Sequence, residues 1–363
     1  MLAFGTYDKA SHPRVQVLID GLRAHGALVR ELNAPLGLST ADRVRILKQP
    51  WRLPVLAWRL LSCWLRLARG AFAVRRGGRP DAVVVGYLGH FDVLLARVLF
   101  PRTTIVLDHL IFAANTAADR GVRQGIVTRL LHELDGVAIR AADIVVVDTE
   151  EHREMVPAER RETAIVVPVG ATARWLEAGS AVDGFRDGVG VVFFGLFTPL
   201  QGTPFIGEAI RALRGSGLRV TLVGSGQDAA VVRAAVVDDP AVTWLDWVDG
   251  ADLPTLVASH DICLGIFGTT SKAARVVPNK VYQGAAAGAA IVTSDTAPQR
   301  RVLGDAAVFV PPGDAAALAA SIRRLAEDPD LLASYRRRAR ELAATAFTAD
   351  AVTKSLAERL GLR

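Results

Sequence analysis

Several things are scarce or missing in this sequence, and each absence excludes something. Only two cysteines occur in 363 residues, Cys63 and Cys263, far apart in the chain. That rules out a disulfide framework and a Cys-rich zinc site, and it fits a reducing compartment. No apolar run reaches the roughly 18 residues that a spanning helix needs. The first apolar stretch, 2–7, reads directly as a strand with no leader before it, so a cytoplasmic protein is expected. No G-x-G-x-x-G follows that strand, which counts against a nicotinamide-binding enzyme. RNP-like motifs and zinc-finger spacings are missing too, so the net charge of +6 does not mark a nucleic-acid binder. Triad-like and metal-ligand spacings are likewise lacking, and no bound metal is expected.

The content that remains is that of a packed α/β protein. Hydrophobic residues make up 51% and charged residues 22%, which excludes a disordered chain. At 363 residues, two domains are expected. From residue 1 to about 170, Val- and Ile-rich runs at 2–4, 28–32, 82–85, 104–107, 144–147 and 164–167 alternate with helical patterns. Nearly unbroken apolar runs are the mark of strands buried on both faces, and strict alternation with helices predicts a parallel, doubly wound sheet. Residues 175–188 are polar and Gly-rich and read as a linker. A second alternation follows, with runs at 190–194, 219–223, 242–244, 262–265, 290–293 and 307–310. The expected domains are 1–175 and 189–345. The tail beyond about 329 reads as helical. Two Rossmann-like doubly wound domains are thus expected to face an interdomain cleft.

One segment departs from this pattern. Residues 51–76 hold Trp51, Trp58 and Trp64, many Leu, and Arg52, Arg59, Arg66, Arg69, Arg75 and Arg76, with no acid at all. A basic amphipathic helix carrying Trp suits an anionic membrane surface. The same pattern also suits a sheet-packing helix whose Arg heads snorkel to water.

The densest functional signal lies at 261–314. An apolar run ends in Gly268, and a polar loop with Lys272, Arg275 and Lys280 follows. A helix of small residues comes next, closed by Gly288, and then a second apolar run. Strand, cationic loop and helix N-terminus together make an anion pocket at the carboxyl edge of a parallel sheet. Gly195, in a loop running to Gln201 and Gly202, and Gly224 each follow a strand, where backbone N–H groups can meet phosphate or sugar. Trp247 and Val248 follow a third strand and offer a surface for a flat base. In the first half, Gly5 and Thr6 close the first strand, while His90 and the Asp108-His109 pair follow later ones. A His beside a carboxylate can orient a hydroxyl or stabilise charge. Thr149, followed by two acids, reads as a helix N-cap.

At these residues the chain resembles the retaining nucleotide-sugar glycosyltransferases of glycosyltransferase family four, which have the GT-B fold. The resemblance runs through nearly the whole chain. It is strongest in VVFFGLFTPLQGTPFIGEAI, VTLVGSG and NKVYQGAAAGAAIVTSDTAPQRRVL, followed by VFVPPGDAAALAASIRRLAEDP. It implies metal-independent sugar transfer from a nucleotide-linked donor, UDP or GDP, with retention at the anomeric carbon. The donor is expected on the C-terminal domain, at Gly195, Gln201, Gly224, Trp247, Val248, Lys272, Arg275, Asn279, Lys280 and Gln283. The acceptor, a saccharide or lipid-linked saccharide in cell-envelope or polysaccharide synthesis, is expected on the N-terminal domain at Gly5, Thr6 and His90. His109 corresponds to the family's His near the sugar, and Asp108 joins it as a catalytic candidate. The last helix, 346–363, is expected to pack back on the N-terminal domain, and the protein to work at the inner face of a membrane.

Four places depart from the family pattern. Gln283 stands where a Glu holds the donor ribose. The earlier sugar-binding Glu has no counterpart in 269–275. Leu196 and Gln201 occupy the places of the Arg and Lys that neutralise the diphosphate. A leaving diphosphate accumulates charge that something must stabilise, so the expectation is a shifted clamp built from Lys272, Arg275 and Lys280. The competing reading is a non-catalytic scaffold that binds a sugar nucleotide. An epimerase of the same fold would need cleft carboxylates, and none assemble from the sequence.

Overall fold

The computed structural model describes residues 1–8, 12–37, 49, 51, 53–119, 125–181 and 188–362. The chain divides into two compact units, Met1–Pro168 with Thr353–Arg363, and Val169–Val352. In the first unit the strands are β1 (Leu2–Gly5), β2 (Arg30–Asn33), β3 (Ala82–Val85), β4 (Thr104–Asp108), β5 (Ile144–Val147) and β6 (Ala164–Val166). They form one parallel sheet in the order β2-β1-β3-β4-β5-β6. Each of the central strands β3 and β5 is buried along its whole length, which is why their sequences, AVVV and IVVV, show no polar alternation.

Successive residues of these strands feed opposite layers. Val83, Val85, Ile105, Leu107, Val145 and Val147 pack against helices on one side. Ala3, Val84, Val106, Ile144 and Val146 pack with Val15, Leu18, Ile19 and Leu22 on the other. Each buried Val or Ile contributes roughly 1.5–3 kcal/mol relative to exposure. Leu356, in the helix Ala349–Arg359, is fully buried in that second layer.

The second unit repeats the plan. Its strands are β7 (Gly190–Phe194), β8 (Arg219–Val223), β9 (Val242–Leu245), β10 (Ile262–Leu264), β11 (Ala290–Ser294) and β12 (Ala307–Val310), ordered β12-β11-β10-β7-β8-β9 and parallel throughout. In each sheet the chain order reverses once, between β1 and β3 and between β7 and β10. Such a switch point opens a crevice beyond the carboxyl ends of its two strands.

The linker expectation is corrected here. Residues 175–188 are not a plain linker: Ala173–Ser180 is a helix of the second unit, and 182–187 lie outside the described residues. Trp175 is 5% exposed and stacks on Phe194 at 5.7 Å, so an aromatic anchor overrides the Gly- and Ser-rich composition. The units accordingly meet in the chain at Pro168–Val169. The tail is two helices, Pro329–Ala346 and Ala349–Arg359, with the break at 347–348 where the Phe347 side chain turns inward onto Tyr282.

The basic segment forms the helix Leu53–Arg76, with Arg52 outside the described residues. Its inner side buries Cys63, Leu67 and Ala71. Its outer side is also apolar: Trp58 is 70% exposed and Phe72 57%. Among the described residues, no helix is long and apolar enough to cross a membrane.

Candidate functional site

In the second unit, parallel strands bring the expected residues to one edge. Gly195 follows β7, Gly224 follows β8, Trp247 follows β9, and Lys280 opens the helix after β10. The switch point between β7 and β10 falls where Gly195, Gln201 and Lys280 meet. The Lys280 Nζ donates to Gln201 Oε1 at 2.5 Å and lies 3.7 Å from the centre of the Phe193 ring. A Cβ placed on Gly195 would stand 3.2 Å from the same Nζ.

Lys280 is 4% exposed, and burial pushes its ammonium down to about 7. Cys263 lies nearby, its Sγ 3.7 Å from the Lys280 carbonyl oxygen, and burial raises its thiol to about 12. Among the described side chains, no carboxylate is paired with Lys280 within salt-bridge distance. An ammonium held in low dielectric without a carboxylate partner is a poised anion receptor: an arriving anion supplies the missing countercharge. Lys280 also sits in the first turn of Asn279–Ala286, whose N-terminal end adds positive potential. Asn279 is half-buried at the head of that helix, and Gln283 is buried one turn on, 8% exposed.

The glycines divide into two roles. Gly224 has φ +124°, and a Cβ there would overlap the Gly195 carbonyl oxygen, so this glycine serves the close packing of two loops. Gly195, at φ +133°, instead faces the lysine. The loops are further tied by Gly195 N donating to Val223 O at 3.0 Å and Phe197 N donating to Ser225 O at 3.0 Å. Lys272 and Arg275 are half-buried on the short turn Ala273–Arg275, which packs against the helix Ala297–Leu303. Trp247 is 81% exposed beyond the edge strand, with Val248 half-buried beside it.

In the first unit, Gly5 and Thr6 lie at the β1–β3 switch point. Asp92 Oδ2 accepts from Thr6 N at 2.7 Å and from Thr6 Oγ1 at 2.8 Å. Asp92 Oδ1 accepts from Trp64 Nε1 at 3.0 Å, tying this loop to the basic helix. Asp92 is 3% exposed. Its position at the start of Asp92–Leu99 also places a negative charge at a helix N-terminus.

The expected pairing of Asp108 with His109 is not made. Neighbours on an extended strand end point to opposite faces. Asp108 Oδ1 accepts from Arg14 Nε at 2.8 Å, and Arg14 also donates to the carbonyls of Val167 and Pro168. Burial raises the Asp108 carboxyl despite that guanidinium. His109 instead joins His90 and Asp135. His90 Nε2 is 2.8 Å from Asp135 Oδ1, and His109 Nε2 is 3.7 Å from it. All three are nearly buried. Burial, with His90 adjacent, pushes the His109 imidazole down to about 3, so it is neutral at physiological pH. The three ligand atoms lie within 4.8 Å of one another, close enough to hold a metal ion. Asp135 already accepts from the N–H groups of Ala113 and Ala114, however, which is the geometry of a capped turn. Thr149 caps its helix as expected, accepting from His152 N at 3.2 Å.

Sequence reasoning gave no role to Asp92, Asp135 or Arg14. Asp92 stands two residues beyond His90, where the turn after β3 meets its helix, so a strand-end signal existed for it. Asp135 sits mid-helix and had none.

Residues 188–328 match the family model described as "Glycosyl transferases group 1". The phosphatidyl-myo-inositol mannosyltransferase of Mycolicibacterium smegmatis is 31% identical over 185 residues, 49% of this chain and 47% of that protein. The chain thus spans about half the length of the curated relative it matches. Among solved structures, the sucrose-phosphate synthase from Thermosynechococcus elongatus superposes with a TM-score of 0.68 at 14% identity, covering 95% of this chain and 91% of that one. Anabaena Alr3699/HepE in complex with UDP superposes with a TM-score of 0.67 at 15% identity, covering 99% and 98%. The chain has a two-domain, Rossmann-like GT-B fold, and the match to the group 1 model lies within its second unit.

Proposed function

We propose that the protein is a retaining glycosyltransferase of family four that moves a sugar from a nucleotide-linked donor to a saccharide or lipid-linked acceptor without a catalytic metal. One observation carries this reading: the buried Lys280 ammonium, without a carboxylate partner among the described residues, stands at the β7–β10 switch point beside Gly195 and a helix N-terminus. In this reading the donor diphosphate displaces Gln201 from Lys280 and takes the proton-bearing ammonium as its countercharge. As the glycosidic bond breaks, charge grows on the leaving diphosphate, and Lys280 with the N–H groups of Asn279–Ala286 stabilises it. Lys272 and Arg275 extend the positive wall. Trp247 and Val248 receive the base, and Gln283 donates to or accepts from the ribose hydroxyls. Gly5, Thr6 and His90 mark the acceptor side, and the neutral His109 is the catalytic candidate of the first unit.

The nucleotide partner is supported by the group 1 match over 188–328 and by the UDP and UDP-glucose held by structural neighbours. The 31% identical mannosyltransferase is named for phosphatidyl-myo-inositol, a lipid, which supports a lipid-linked acceptor here. The exposed apolar side of Leu53–Arg76, rich in Arg and free of acids, supports peripheral contact with an anionic membrane from the cytoplasmic side.

The test is hydrolysis of radiolabelled UDP-glucose and GDP-mannose by the purified protein, with and without lipid extract as acceptor. Slow release of sugar from either donor, abolished in Lys280→Ala, is the expected result. Binding without any release would favour the second reading, a sugar-nucleotide-binding scaffold. That reading has its own support: Gln283 in place of a carboxylate, and the lack of any acid in 269–275.

A further inference from the structure

Three helices form one layer on a single side of the first unit's sheet. The helix Leu53–Arg76 contributes Cys63, Leu67 and Ala71 to the core of that layer, Asp92–Leu99 contributes Val93 and Ala96, and Ile126–Ala141 contributes Ala138 and Ile139. They lie side by side in that order. Arg75 donates to the Leu99 carbonyl at 3.2 Å, and Arg97 Nε donates to the Ala141 carbonyl at 2.9 Å. With their inner sides on the sheet, their outer sides face away from it together.

Those outer sides are apolar on all three helices. On the first, Trp58, Leu65 and Phe72 repeat at seven-residue spacing, each at least 52% exposed. Val98 on the second is 76% exposed. On the third, Ile126, Leu130 and Val137 share one side, 77%, 64% and 40% exposed. A solvent-facing side of an ordinary surface helix is polar, so three adjacent reversals signal a covered surface. Helices of 24 and 16 residues, about 36 and 24 Å long, bound it.

Charge identifies what covers it. The layer exposes Arg59, Arg66, Arg69 and Arg76 from the first helix and Arg129 and Arg140 from the third. Glu133 is the only exposed acid among the described side chains of the three. Apolar side chains interspersed with long cations match a bilayer interface: the apolar groups enter the acyl boundary while guanidinium groups reach anionic headgroups.

We propose that the whole three-helix layer, and not the basic helix alone, is the docking surface for an anionic lipid bilayer. The proposal rests on the membrane contact already assigned to Leu53–Arg76 and enlarges it. It places Ile126, Leu130 and Val137 in the interface, on a helix whose sequence carries no Trp and an ordinary charge balance.

Sedimentation with phosphatidylglycerol-containing and pure phosphatidylcholine vesicles tests it. The variants are Ile126→Ser/Leu130→Ser and Trp58→Ser/Leu65→Ser, all at exposed positions, with circular dichroism and light scattering as controls. The parent is expected to bind the anionic vesicles preferentially. Each double variant, still folded, should lose about tenfold or more of that affinity, since each removes two inserting side chains. If Ile126→Ser/Leu130→Ser binds like the parent while Trp58→Ser/Leu65→Ser does not, the three-helix surface is refuted and the single-helix contact stands. If the parent ignores both vesicles, both fail, and donor hydrolysis remains a separate measurement. If light scattering shows a parent dimer that Ile126→Ser/Leu130→Ser dissociates, the layer is an interface between copies and the proposal is overturned.

Discussion

Lys280 makes a quantitative prediction, because its proton is expected to arrive with the ligand. In the empty protein, burial holds this ammonium at about 7, against an ordinary lysine value of 10.5. A bound diphosphate favours the charged form. Binding above pH 7 therefore takes up a proton, and the dissociation constant should rise with pH, approaching tenfold per unit. Between pH 7 and 9 this amounts to about 50-fold, or ~2.3 kcal/mol, when the bound-state value lies well above 9. Isothermal titration with UDP-glucose or GDP-mannose measures it directly, and repeating it in buffers of different ionisation enthalpy counts the protons. Lys280→Arg, charged at every accessible pH, should flatten the slope. Lys280→Ala should flatten it as well and lose roughly 1.5–3 kcal/mol of affinity, about 10- to 150-fold. Circular dichroism guards against misfolding in either variant. If parent affinity is flat from pH 7 to 9, or if Lys280→Ala binds like the parent, Lys280 is not the clamp.

Other consequences are simpler to state. Gly224→Ala forces a Cβ into the Gly195 carbonyl at a backbone angle that side chains avoid, so thermal unfolding should shift down by several degrees and donor affinity should fall with it. Arg14→Met strands the buried Asp108 carboxylate and should cost about 3–5 kcal/mol in urea unfolding at pH 7.5, whereas Arg14→Met with Asp108→Leu should recover much of that. His109 has a folded value depressed to about 3, below its unfolded 6.5, so its contribution is full above pH 6.5 and fades as pH falls toward 3. By pH 5 the loss should reach about 2 kcal/mol, and His109→Gln should unfold with a shallower acid limb. Gln283→Glu should raise donor affinity or turnover through a charge-assisted bond to the ribose; an unchanged Kd and kcat would place the ribose elsewhere.

The sheets were legible because most of their central strands are buried on both faces. Runs such as AVVV and IVVV can only be central parallel strands when helices alternate between them, and all twelve runs became strands. The carboxyl edge of the second sheet was legible for the same reason, since glycines and cations after parallel strands must share one edge. Side-chain destinations were not. Lys280 sits in a polar local sequence, and only the packing of Phe193 and Gly195 around it reveals a buried ammonium. Asp108 and His109 are adjacent in sequence and opposite in space, so proximity in the chain suggested the wrong pair. The basic helix was read correctly as amphipathic. Which of its apolar residues face the sheet, Leu67 but not Leu65, follows from the tertiary contacts of the neighbouring helices.

The Asp92 carboxylate has a mechanical consequence. It ties Thr6 to Trp64, and Trp64 is the twelfth of the 24 residues in its helix. The rod is thus pinned near its midpoint, with an arm of about 18 Å on either side, and tied again near its end, where Arg75 holds the Leu99 carbonyl. Two ties along its length keep the rod from tipping about one point. A load that slides it lengthwise instead drags the Thr6 loop along, so Thr6 is coupled to shear more than to tilt.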